Sequence, residues 1–150
     1  MVGPTRRGKG TKVMVLTDGH GVPIGVDTES ASRNEVVLIE RLLDRAILPD
    51  VVPARLIYGL IYDRAADSDK LRDALDARGV ELICPHRRHR KRPKRQDGRA
   101  LRRYKRRWKV ERTMAWLHNF RRVVTRWENY AYLYESFVQI ACLLIILRRF

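Results

Sequence analysis

Two carboxylates stand out by their position in the chain. Asp63 ends the run Arg55 to Tyr62 (Arg-Leu-Ile-Tyr-Gly-Leu-Ile-Tyr), and Glu111 is one of only four acidic residues after Pro85. An acid at a strand end and a second on a following helix are a common way to hold two divalent metal ions, because carboxylates on rigid elements can bridge ions about 3.5 to 4 Å apart. Glu111 lies inside Arg103-Tyr104-Lys105-Arg106-Arg107-Trp108-Lys109-Val110-Glu111-Arg112. On a continuous helix turning about 100° per residue, Tyr104, Arg107, Glu111 and His118 fall within about 60° of one another, so one face would carry an acid beside bases. Each acid also has a plain structural alternative. Glu111 could be half of a surface salt bridge with Arg107, and Asp63 a turn or helix-capping carboxylate.

The flanking sequence supplies elements able to position these acids. Lys12 to Thr17 and Pro23 to Thr28 are β-like runs joined by Asp18-Gly19-His20-Gly21, a hairpin signal. Ser32-Arg33-Asn34-Glu35 offers a cap with an acid three positions on, and the apolar spacing from Val36 to Ala46 predicts a helix over 33–47, ended near Pro49. Arg55 to Tyr62, with its small repeat Leu56-Ile57-Tyr58 and Leu60-Ile61-Tyr62 around Gly59, reads as a strand buried on both faces. Ser68 caps a second predicted helix carrying Leu71, Ala74 and Leu75 and stopped at Gly79, and Val80 to Cys84 reads as another strand. Strand, helix, strand with short links predicts a parallel βαβ unit, so the fold class is α/β. Leu101 to Arg126 reads as one long helix, with Val110, Met114, Leu117 and Val124 as its core stripe and Trp108 and Trp116 packed beneath it. Tyr130 to Arg149 reads as another long helix. Its apolar run Phe137 to Leu147 spans 11 residues, against the roughly 20 a membrane helix needs, and predicts a buried helix with no membrane partner.

Charge separates the two parts of the chain. The 150 residues carry a formal net charge of +15, but residues 1 to 85 hold 12 Lys and Arg against 13 Asp and Glu, whereas residues 86 to 150 hold 20 against 4. Within His86 to Arg107, 13 of 22 residues are Lys or Arg and only Asp97 is acidic. Such a block repels itself and suits either a solvated face or a polyanion, and its density favours nucleic acid through counterion release. Pro93 and Gly98 predict loop first and helix from about Arg99. Contacts of this kind position a duplex without reading its bases. Cys84 and Cys142 make no CxxC pair and the Met1 end has no apolar signal, which points to a reducing, cytoplasmic location. Cys84, His86 and His89 offer zinc-type donors, but their spacing matches no established zinc module.

Three motifs occur in order: Gly8-Lys9-Gly10-Thr11-Lys12; Asp63-Arg64-Ala65-Ala66-Asp67-Ser68-Asp69; and Tyr104-x2-Arg107-x3-Glu111 followed by Arg112-Thr113-Met114-Ala115-Trp116-Leu117. Together they resemble the catalytic domain of bacterial insertion-sequence DDE transposases over nearly the whole chain. The resemblance implies a ribonuclease H-like fold lacking its first strand, with long C-terminal helices, so that residues 1–150 form a partial catalytic domain with its basic DNA-binding segment at 86–107. Asp63 then corresponds to the second catalytic aspartate and Glu111 to the catalytic glutamate, both as ligands of Mg²⁺ or Mn²⁺. Tyr104 and Arg107 correspond to signature residues that approach the cleaved DNA end. Arg87, Arg88, Arg90, Lys91, Arg92, Lys94, Arg95, Arg102, Arg103 and His118 complete the expected DNA contacts. Two positions depart from the family pattern: Ala66 stands where Tyr is usual, and His118 where many members have Lys.

In that family the first catalytic aspartate lies upstream of the Gly-Lys-Gly-Thr-Lys segment, on the central strand of the sheet. Asp18, in a hairpin turn expected to lie far from the site, is a poor substitute. The expected activity is therefore two-metal DNA cleavage and strand transfer that draws its first aspartate from an upstream segment, as in a frameshift fusion, by a homo-oligomer joining two transposon ends at the nucleoid. The competing expectation is a non-enzymatic remnant that binds DNA or inhibits transposition. A ribosome-associated or RNA-binding protein would account for the charge but not for the spacing of Tyr104, Arg107 and Glu111.

Overall fold

The computed structural model describes residues 2–5, 8–46 and 59–149. The chain divides into two compact units, one of residues 1–47 and 109–150 and the other of residues 48–108.

In the first unit, β1 (Gly3–Thr5), β2 (Gly8–Thr17) and β3 (Pro23–Ser30) form an antiparallel sheet in that order. The predicted hairpin is present, with Val15 opposite Val26 and Met14 opposite Asp27. β1 was not legible: Gly-Pro-Thr is a poor strand former and is placed by pairing with Gly8 to Gly10. Alternation gives the sheet two different faces. Met14, Leu16, Gly25, Asp27 and Glu29 are buried on one of them, and Gly25 there lies so close to Ala46 that a Cβ would sit 3.2 Å from its Cα. Val13, Val15 and Val26 face the other way, onto a cluster of Leu117, Val123, Tyr134, Val138, Ala141, Cys142 and Ile145.

Helix α1 (Glu35–Asp44) lies within the predicted span, but its cap is Asn34, which accepts from the Val36 amide at 3.0 Å. Ser32, the expected cap, instead shares a 2.8 Å hydrogen bond with Ser30. The predicted end of this helix at 47–49 and residues 55–58 of the predicted strand lie outside the described residues.

In the second unit β4 (Gly59–Ile61) pairs in parallel with β5 (Glu81–Ile83), and α2 (Asp69–Ala77) connects them, so the βαβ reading holds. Ser68 caps α2, which buries Leu71, Arg72 and Leu75 and stops before Gly79 in a positive-φ conformation. The outer edge of β5 is satisfied by side chains. The Leu82 carbonyl accepts from Arg72 at 2.8 Å and from Gln96 at 3.2 Å, and the Cys84 amide donates to Gln96 at 3.3 Å. These bonds stand where a neighbouring strand's would otherwise be needed.

The long helix expected over 101–126 is broken. It consists of α3 (Gly98–Tyr104), capped by Asp97, a 3₁₀ turn (Lys105–Arg107), α4 (Trp108–Leu117) and the short α5 (Arg121–Val124). Phe120 takes an extended conformation at the break and packs against the core cluster. Burial of Phe120 and Val123 thus outweighs helical continuity. Of the predicted stripe, Leu117 is fully buried and Met114 packs against the core, but Val124 beyond the break is 57% exposed, and Thr113 is fully buried beside them.

Trp108 is exposed rather than packed beneath the helix, while Trp116 is partly buried with the Arg112 and Arg149 guanidinium groups 4.8 and 5.0 Å from its ring centre. The last helix, α6 (Ala131–Leu147), is present as predicted but is buried on one side only, leaving Ile140, Leu143, Leu144 and Leu147 exposed. Among the described residues no helix is long and apolar enough to cross a membrane.

Candidate functional site

Asp63 stands two residues beyond β4, where the Tyr62 amide still bonds to the Ile83 carbonyl at 3.0 Å. Its Oδ1 accepts from the Ala65 amide at 2.7 Å and caps the 3₁₀ turn Arg64–Ala66. The capping role is therefore present, and it fixes the carboxylate at a strand end.

Glu111 is exposed in the first turn of α4. That helix is docked on the hairpin turn: Lys109 Nζ donates to the Gly19 carbonyl, Arg112 to the His20 carbonyl at 2.8 Å, and Thr113 to the Gly21 carbonyl at 2.5 Å. Gly21 has φ of +81°, and a Cβ there would meet the Lys109 carbonyl oxygen at 3.1 Å, so both its conformation and the close helix require glycine. The Asp18 turn, expected to lie apart from catalytic residues, holds the helix that bears Glu111. The Asp18 carboxylate itself accepts from the His20 and Val22 amides, each at 2.8 Å, and so builds the turn.

Tyr104 closes α3 and Arg107 ends the 3₁₀ turn, with Arg107 Nη1 donating to the Tyr104 hydroxyl at 3.1 Å. The four residues do not lie on one continuous α-helix: the 3₁₀ turn separates Tyr104 from Glu111, and His118 lies beyond the end of α4. His118 is exposed at the rim of a cavity of about 390 Å³ lined also by Thr11, Val13, Met114, Leu117 and Tyr134.

The basic segment is loop first and helix from Gly98, as expected, and its cations fall into two groups. Arg88, Lys91, Lys94 and Arg102 are exposed. Arg90 is turned inward, only 10% exposed, bonding to Asp69 at 2.6 Å and Asp67 at 3.4 Å. Arg92 pairs with Asp69 at 3.1 Å, Arg95 with Asp73 at 2.5 Å and Asp76 at 3.5 Å, and Arg103 with Glu81 at 2.5 Å. Arg87 donates its amide to Asp67 at 2.8 Å and its guanidinium to the Ala65 carbonyl at 2.9 Å. Three of the segment's arginines, Arg90, Arg92 and Arg95, are thus paired with the acids of 67–76. The segment is therefore a mixture of internally paired and exposed cations.

Asp67, in the Asp-Ser-Asp block, is the hub of this arrangement, bonding Arg72, His86, Arg87 and Arg90. Burial pushes its carboxyl up, but the Arg87 amide, His86 and Arg72 outweigh that and hold it down to about 2. Arg90 likewise holds Asp69 below the usual carboxylate range. Cys84 and His86 are engaged here too. Arg72 lies 3.0 Å from the Cys84 sulfur, burial pushes that thiol up to about 11, and His86 Nδ1 sits 3.0 Å from Asp67. Among the described residues no three His, Cys, Asp or Glu side chains gather as a metal cluster. As donors, the carboxylates of Asp63 and Glu111 suit a hard divalent cation.

Residues 3–146 match the Transposase DDE domain family. The chain belongs to that family. It is 36% identical over 150 residues to the transposase ascribed to insertion sequence element IS402 of Burkholderia cepacia, with 95% of this chain aligned. It spans 65% of that relative's length. No solved structure matches significantly. Asp63, Tyr104, Arg107 and Glu111 all fall inside the matched span.

Proposed function

We propose that this DDE-domain chain supplies the greater part of a transposase catalytic domain that cuts and joins the DNA of an insertion sequence. The observation that carries the reading is the placement of Asp63 at the end of a parallel strand and of Glu111 in the first turn of a docked helix, within a family match that covers almost the whole chain. On this reading the hairpin sheet and the parallel pair are parts of a ribonuclease H-like fold whose first strand, with its aspartate, comes from upstream of Gly8.

Asp63 and Glu111 would hold Mg²⁺ or Mn²⁺ together with that third carboxylate. The metal ions supply charge neutralisation at the scissile phosphate and a lowered pKa for the attacking water or 3′-hydroxyl. The chain's own residues position the reactants. The 3₁₀ cap fixes the Asp63 carboxylate, and the three bonds from Lys109, Arg112 and Thr113 to the hairpin turn fix the helix of Glu111. Arg107, aligned by the Tyr104 hydroxyl, would donate to the phosphate at the cleaved end. The exposed cations of the basic segment would hold the flanking duplex, and two copies would bring two ends together.

The test is nicking and strand transfer on a duplex carrying an element end, with Mg²⁺, using this chain joined to the upstream segment. Asp63→Asn and Glu111→Gln should each lower the rate by more than about 100-fold, since loss of even an outer-shell partner of a metal commonly costs 10- to 100-fold. DNA binding without cleavage, unchanged by either substitution, would instead identify a non-enzymatic DNA-binding protein.

A further inference from the structure

Asp63 is the only member of the Asp63–Asp69 block that the proposed reaction uses, yet Asp67 is the more deeply buried acid. Its side chain is 1% exposed, and both oxygens are engaged. Oδ1 lies 3.2 Å from Arg72, 3.0 Å from His86 and 3.4 Å from Arg90, while Oδ2 accepts from the Arg87 amide at 2.8 Å. Arg72 continues the chain of bonds into the sheet, donating to the Leu82 and Cys84 carbonyls at 2.8 and 3.2 Å. Arg90 continues it outward, bonding Asp69 at 2.6 Å and the Pro93 carbonyl at 3.0 and 3.1 Å.

One carboxylate thus ties residues 86–93, which have no regular secondary structure, to the end of β5. The acids further along α2 are placed differently. The Asp73 and Asp76 side chains are 65% and 54% exposed, and they meet Arg95 at the surface.

Resting on the reading of 86–107 as a DNA interface, we propose that Asp67 is a positioning residue for DNA binding. It shapes the segment so that Arg88 and Lys91 face outward, whereas Asp73 and Asp76 compete with DNA phosphate for Arg95. The two kinds of acid then have opposite effects on affinity. By charge alone, removing any acid beside a DNA-binding segment strengthens the attraction for phosphate. An anchor reverses that sign, because a slack segment loses several aligned cations for the one negative charge removed.

Binding of a fluorescein-labelled duplex to the full chain, followed by anisotropy at two salt concentrations, separates these cases. Asp67→Asn should weaken binding by about tenfold despite the added positive charge, the loss expected when two or three phosphate contacts become misaligned. Asp73→Asn with Asp76→Asn should tighten it about two- to fivefold, the range of an exposed ion pair, and the gain should shrink with salt.

Arg90→Lys offers a second variant should Asp67→Asn fail to fold. It keeps the net charge but loses the guanidinium fork that joins Asp67, Asp69 and the Pro93 carbonyl, so it should also weaken binding and speed amide exchange over 86–92. Tightening by Asp67→Asn, or no change with Arg90→Lys, overturns the proposal and leaves the DNA interface standing. A wild-type chain without salt-sensitive duplex binding overturns both readings.

Discussion

Asp27 and Asp67 are both fully buried aspartates held by arginines, but their partners differ in exposure and in what they fasten. On β3, Asp27 meets Arg41 at 2.6 Å and Arg45 at 2.7 Å, while Glu29 beside it meets Arg41 at 3.0 Å. Those arginines are 38% and 45% exposed, and Arg45 reaches on to Glu135 of α6 at 2.7 Å. The pairs clamp two helices to a sheet. Around Asp67, by contrast, Arg72, His86 and Arg90 are themselves 6 to 10% exposed and fasten an irregular segment. Where regular elements already fill the space, buried charge locks their packing. Where no regular element exists, it supplies the shape instead.

The sharpest way to break this comparison is Arg41→Ala, which takes the arginine from buried Glu29 and leaves Asp27 with Arg45 alone. Removing one partner of a buried pair costs about 3 to 5 kcal/mol, so urea unfolding should show a loss of that size. The two cysteines can report each unit separately, since burial pushes both thiols up to about 11 and keeps them neutral. Arg41→Ala should speed alkylation of Cys142 and leave Cys84 slow. Equal acceleration of both would mean that the two regions open as one.

Acid comes next in size. Asp67's folded-state value of about 2 lies below its ordinary 3.8, so its contribution is present above pH 4 and is lost as pH falls through 2. A shift of nearly two pH units corresponds to about 2 kcal/mol. Unfolding followed between pH 4 and 2 should show that loss, and Asp67→Asn should flatten this part of the profile. Gly21→Ala ranks third. A positive-φ position pressed against α4 should lose about 1 to 2 kcal/mol by thermal melting, whereas Gly19→Ala, which meets nothing within 4 Å, should lose less. Smallest of all is Arg95→Gln, whose pairs with Asp73 and Asp76 are exposed and should leave the melting midpoint unchanged.

The sequence was most legible where local chemistry decides. Asp18-Gly19 and the alternating runs around it marked the hairpin, Ser68 and Gly79 bounded α2, and Pro93 with Gly98 marked the change from loop to helix near Arg99. The positions of Asp63 at a strand end and Glu111 on a helix were legible for the same reason. What was hidden depended on partners distant in the chain. Alternation places Asp27 and Glu29 on one face of β3, but only the arrival of Arg41 and Arg45 makes that face the buried one. Nothing within a few residues of Asp67 announces that residues 72, 86, 87 and 90 will converge on it. The helical spacing over 101–126 was equally misleading, because the burial of Phe120 is a tertiary event.

The division of the chain into units also sets an order of assembly. Residues 48–108 form one continuous stretch, whereas the other unit joins residues 1–47 to 109–150. Its closing bonds span long loops: Thr113 to Gly21, Arg126 to Thr11 and Glu135 to Thr28. Closing such loops carries an entropic cost that local pairing avoids, and it slows folding. During synthesis the inserted unit is complete while the hairpin still waits for α4 and α6. With chains made at about 5 to 20 residues per second, that wait lasts seconds, so the apolar face of Val13, Val15 and Val26 is exposed until the last helix emerges to cover it.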